Sequence, residues 1–66
     1  MTQFAVTLKD GEWTLFKDGE VEARGMSRSR AIEQAESLAL EASHAGEAVE
    51  LLVQDYTGLL TTRRTL

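Results

Sequence analysis

The chain contains no cysteine, so neither a disulfide staple nor a thiolate metal site can form, and its single histidine, His44, cannot build a histidine-rich one. There is no proline, which excludes a proline-rich linker or recognition segment. Aromatic residues are few: Phe4, Trp13, Phe16 and Tyr56. No apolar run approaches the roughly 20 residues that a membrane span needs. The opening Met1 to Leu8 lacks the basic start and apolar stretch of a signal peptide, so the expectation is a soluble, cytoplasmic protein without membrane association. The glycines stand singly, at 11, 19, 25, 46 and 58, and none builds a phosphate-binding loop.

What is present describes one small folded domain, residues 1–66. Apolar residues make up 42% and charged residues 27% of the chain, a globular rather than a disordered balance. A domain of this size hides only about 60% of the surface that its unfolded chain exposes, and apolar burial barely offsets chain entropy. With disulfides and metal excluded, oligomerisation is the remaining ordinary source of stability.

The formal charge of −4 is unevenly spread. Residues 1–30 are neutral, with five basic and five acidic side chains. Residues 31–60 carry six acids and no lysine or arginine, and Arg63 and Arg64 follow. An acidic middle disfavours general nucleic-acid binding, which requires several phosphates to be neutralised together.

Two Asp-Gly pairs, Asp10-Gly11 and Asp18-Gly19, sit between alternating segments. Such pairs favour the type I′ turn, which needs positive φ at both central residues, and so predict two consecutive hairpins over Gln3 to Lys9, Glu12 to Lys17 and Glu20 to Arg24. Two-residue loops set the register: Leu8 opposite Trp13, Val6 opposite Leu15, Ala5 opposite Phe16. One face then carries Phe4, Val6, Leu8, Trp13 and Leu15, the expected core. Continuing the same register places Phe16 opposite Val21 and Thr14 opposite Ala23, so the third strand turns its apolar residues away from that core. Either a bulge rotates the third strand, or the sheet has a second, partly apolar face formed by Ala5, Phe16, Val21 and Ala23.

Ser27 is placed to cap a helix from Arg28 to about Ala45, with Ile32, Ala35, Leu38, Ala39 and Ala42 recurring as one stripe, Leu40 off it, and Gly46 ending it in a left-handed conformation. Glu47 to Gln54 alternates as a half-buried strand, Asp55 to Gly58 reads as a turn, and Leu59 to Arg64 suits an edge strand. The expected fold is α+β: a β-β-β-α-β-β order in which one helix packs on one face of an antiparallel sheet.

Catalytic chemistry finds little support. His44 falls at the helix C-terminus, where an imidazolium simply favours the last carbonyls, and Glu33, Glu36 and Glu41 read as a solvated helix face. No catalytic residue, cofactor or metal site is expected. Trp13 reads as a core anchor, with a stacking or interface role as the alternative. Arg24, Arg28, Arg30, Arg63 and Arg64 form the one ambiguous constellation: if they converge, they can contact an anion or an acidic partner, and otherwise they are solvated charges paired with nearby glutamates.

Phe4-Ala5-Val6, Gly11-Glu12-Trp13-Thr14-Leu15, the Ser27-capped helix with Ala31-Ile32-Glu33-Gln34-Ala35, and Glu50-Leu51-Leu52-Val53 before the Gly58 turn together resemble a family of small bacterial proteins, the domain of unknown function 2188. The resemblance spans nearly the whole chain and implies a fold only, since that family has no established activity. The meander, helix and strand also resemble the HicB-type antitoxin domain, which binds a small ribonuclease toxin, although the proline- and glycine-rich loop typical of that group is missing between Val21 and Ser27.

The sequence therefore predicts a non-catalytic homo-oligomeric module, most simply a dimer, with Phe16, Val21, Leu52 and Leu59 at the interface. The alternative is a nucleic-acid-binding or antitoxin-like module that uses the arginines.

Overall fold

The computed structural model describes all 66 residues. Five strands and one helix follow in the order β1 (Thr2–Lys9), β2 (Glu12–Lys17), β3 (Glu20–Met26), α1 (Arg28–His44), β4 (Val49–Gln54) and β5 (Leu60–Thr65). Both Asp-Gly pairs form the predicted turns, with φ of 51° and 79° at Asp10 and Gly11 and 49° and 84° at Asp18 and Gly19. The β1–β2 register is the one that the two-residue loop dictates, with Leu8 on Trp13, Val6 on Leu15 and Ala5 on Phe16.

The sheet order is β3-β2-β1-β4-β5. The expected order of elements and the single packed helix are present, but the sheet is mixed rather than antiparallel throughout, because β4 lies parallel to β1. Two hairpins leave β3 running in the direction of β1. The helix then carries the chain back to the end where β3 began, so the next strand must run the same way as β1.

The third strand resolves the conflict in its pattern by bulging. Phe16 pairs with Val21 as expected, but Leu15 pairs with Ala23 and Trp13 with Met26, with register shifts between these pairs. An extra residue opposite Leu15 and Phe16, and a second opposite Thr14, turn Ala23 and Met26 onto the core face. Gly25 sits in the second irregularity at φ 77°, a conformation that costs a side-chain-bearing residue energy. Ala23 therefore leaves the second face, which keeps Ala5, Phe16 and Val21.

Ser27 caps α1, its hydroxyl accepting from the Arg30 N–H at 3.3 Å. At the other end Gly46 has φ 91°, its N–H donates to the Ser43 carbonyl and the Glu47 N–H donates to that of Ala42, which is a Schellman closure. The helix buries Ala31, Ile32, Ala35, Ala39 and Ala42 against Phe4, Val6, Leu15, Val49, Leu51 and Val53. Leu38 is only half-buried at the rim of this core. Four of the five buried helix residues are alanines, so α1 lies close to the sheet and contributes little apolar area. Only 13 of 66 residues are buried, as a core of this kind allows.

Leu8, expected in the core, is 51% exposed. The β1–β4 ladder ends at Val6 and Val53, so the last turn of β1 runs beyond the strand that would flank it. No helix of the structure is long and apolar enough to cross a membrane.

Candidate functional site

The face of the sheet opposite α1 carries no covering element. Across it, the strand pairings align Thr62 with Leu52, Leu52 with Ala5, Ala5 with Phe16 and Phe16 with Val21. These five residues form one transverse row spanning all five strands, about 19 Å long at the ordinary strand spacing. Phe16 and Leu52 are half-buried and Val21 is 51% exposed. Ala5, the smallest of the five, stands between Leu52 and Phe16. The Lys9 ammonium lies 5.9 Å from the centre of the Phe16 ring, so in a single chain a lysine stem provides part of the cover for that ring.

Polar residues bound the row on both sides. Towards the start of β1, the Gln3 amide donates to Glu50 at 3.0 Å and the Thr62 hydroxyl donates to the other oxygen of Glu50 at 3.2 Å. On the other side stand Thr7 and Thr14, paired across β1 and β2. Phe16, Val21 and Leu52 are thus brought together as expected, whereas Leu59 is not. It precedes β5 in the turn, 62% exposed, and Thr62 takes its place in the row.

The arginines do not converge. Arg24 lies on β3 and Arg63 and Arg64 on β5, the two opposite edges of the sheet. Arg63 pairs with Glu36 of the helix at 2.9 Å, the one ion pair in the molecule, and Arg30 is exposed on the first helical turn. The expected pairing of the others with Glu20, Glu22 and the acidic helix is absent.

Arg28 instead makes a contact that sequence reasoning missed. Its guanidinium carbon lies 5.6 Å from the Trp13 ring centre and 5.4 Å from that of Tyr56, and one terminal nitrogen donates to the Gln54 carbonyl at 3.4 Å. Its Nε is buried without a partner, a cost that the two cation–π contacts help to offset. Trp13 thus anchors the core rim with one side and carries a cation on the other. A cleft of about 180 Å³ opens beside it, walled by Leu8, Trp13, Asp55 and Tyr56. Tyr56 is 95% exposed even with this contact in place. Its only sequence signal is its place in a turn, which carries no information about which distant side chain it meets.

Asp55 organises that turn. Its carboxylate accepts from the Thr57 hydroxyl at 2.6 Å and from the N–H groups of Thr57 and Leu59 at 2.8 and 3.1 Å. These donors, the Thr57 hydroxyl foremost, and the Arg28 charge hold its pKa below the ordinary 3.8. Because the folded value is the depressed one, the stabilisation is present above the unfolded pKa and is lost as pH falls through the folded value. The Thr57 and Leu59 amide resonances are expected to stay in place at a pH where an ordinary aspartate is half protonated, and to move only on further acidification. In the Asp55→Asn variant they should show no such acid transition.

His44 is exposed at the helix end, and no three His, Asp or Glu side chains come together as a metal-holding group. Compared with known protein families, curated proteins and solved structures, the chain matches none.

Proposed function

We propose that this chain is a soluble, non-catalytic cytoplasmic module that acts as a homodimer through its open sheet face. The carrying observation is the uncovered row of Thr62, Leu52, Ala5, Phe16 and Val21. A sheet face that carries apolar residues on four of its five strands gains from being buried, and five strands span about 24 Å, enough for an interface at the small end of the specific range, about 600 Å² per partner. The row is self-complementary. A two-fold axis parallel to β1 sets Phe16 of one copy over Leu52 of the other and Val21 over Thr62, with the two Ala5 residues facing each other at the centre.

The small, alanine-rich core supplies the second reason, since burial against a twin adds the area that this core lacks. The separation of Arg24 from Arg63 and Arg64 leaves the nucleic-acid and antitoxin-like alternative with less support than the sequence alone offered. Sedimentation equilibrium at micromolar concentration should return twice the 7.3 kDa chain mass, with a melting temperature that rises with concentration. A chain mass at every concentration, with a melting temperature indifferent to dilution, overturns the proposal.

A further inference from the structure

The two edges of the sheet differ in a way that the open face does not explain. At one edge β3 is bulged twice, contains Gly25 at positive φ and carries Glu20 and Glu22, devices that twist an edge away from further pairing. At the other edge β5 carries a single bulge, at Arg63, all six of its residues, Leu-Thr-Thr-Arg-Arg-Thr, are exposed, and none is acidic.

The ladder shows which backbone groups β5 leaves free. Val49 and Leu66 exchange both of their hydrogen bonds, so in the alternation of an antiparallel pair Arg64 faces inward on Leu51 and the Thr65 backbone points out. At the other end the Asp55 N–H donates to the Leu59 carbonyl, which puts Thr61 inward on Val53 and turns the N–H and C=O of Leu60 and Thr62 away from the sheet. The bulge at Arg63 separates the outward groups of Leu60 and Thr62 from those of Thr65 along this strand. Three side chains of the strand are held back on the molecule's own elements: the Thr61 hydroxyl on the Val53 carbonyl, the Thr62 hydroxyl on Glu50 and Arg63 on Glu36. Arg64 has no ion-pair partner.

We infer that the β5 edge is a docking strand for an extended, acidic segment of a partner protein, which adds to the sheet as a sixth strand. Main-chain hydrogen bonds to Leu60, Thr62 and Thr65 provide the pairing, and Arg64, with Arg63 beside it, selects negative charge. A second copy is the poorer occupant. Antiparallel pairing of two β5 strands over their full length sets each Arg63 opposite Thr62 and each Arg64 opposite Thr61, so four arginines crowd the middle of the shared ladder, and the β3 edge of another copy is bulged twice.

The test uses the whole chain and a short synthetic peptide that alternates glutamate with threonine and valine, followed by amide chemical shifts. Saturable shifts confined to Leu60–Thr65 and its β4 neighbours are expected. The same peptide with lysine for glutamate should bind at least roughly tenfold more weakly. Leu60→Pro removes an outward N–H at the first residue of β5, where proline is tolerated, and should abolish binding with the far-ultraviolet circular dichroism unchanged. Arg64→Glu should weaken binding without touching the backbone. Equal binding of the basic peptide, shifts located elsewhere, or undiminished binding by Leu60→Pro would overturn the assignment. Neither Leu60 nor Arg64 belongs to the open-face row, so the edge and the dimer stand or fall separately.

Discussion

Phe4→Ala is expected to leave the chain largely unfolded at room temperature. Phe4 is 2% exposed and is the largest fully buried side chain, packed between the sheet centre and the alanine stripe of α1. Truncating a buried phenylalanine costs about 3–5 kcal/mol. Natural domains have about 0.05–0.15 kcal/mol of stability per residue, so a chain of this length holds roughly 3–10 kcal/mol in all. The helix cannot collapse onto the cavity, because the residues facing it are already alanines. Urea unfolding followed by circular dichroism checks this, with Leu8→Ala as the comparison. That side chain is 51% exposed, and its loss should cost at most about 1 kcal/mol. Equal effects of the two substitutions would mean that the helix does not cover the sheet as described.

Phe16→Glu should separate the dimer while leaving each chain folded. Phe16 sits at a strand position that α1 does not cover, so a charged replacement meets solvent in the single chain and meets Leu52 of the opposing copy in the dimer. Placing an unpaired carboxylate in the middle of an apolar interface removes a central contact and adds a desolvation cost. An effect of at least about 2 kcal/mol, or roughly 30-fold in dissociation constant, is expected from sedimentation. Leu59→Glu changes an equally apolar and more exposed residue that lies outside the row, and it should leave the association constant unchanged. If Leu59→Glu is the more disruptive of the two, the row is not the interface.

The two substitutions also mark where sequence was informative and where it was not. Phe4, Val6 and Leu15 could be assigned to the core because the Asp-Gly turns impose a register and alternation does the rest. The helix ends were legible for a similar reason, since Ser27 and Gly46 have local jobs that few other residues do as well. The placement of Phe16 on the uncovered face followed from the same register.

Features that depend on distant segments were not legible. Pairing of β1 with β4 joins residues more than 40 positions apart, and nothing local in Phe4 or Leu51 announces a parallel neighbour. The bulges in β3 left two signals, the conflict of apolar pattern at Ala23, which offered a bulge as one of two readings, and the isolated Gly25, but alternation alone did not choose between those readings. Leu8 looked like core because alternation says which face a residue is on but not whether anything covers it. The meeting of Arg28 with Trp13 and Tyr56 joins three segments through side-chain reach alone. Whether the arginines converge was left open by their sequence positions, and it is the sheet order that sends β3 and β5 to opposite edges.

The central claim is that the face carrying Phe16 is covered by a second copy of the chain. It is tested most directly by isotope-filtered nuclear magnetic resonance on an equal mixture of labelled and unlabelled protein. The account predicts intermolecular contacts between the Phe16 ring of one copy and the Leu52 methyl groups of the other. It is contradicted if no contact between copies is seen at concentrations where the protein is fully folded, and the Phe16 ring is instead readily reached by a soluble paramagnetic probe.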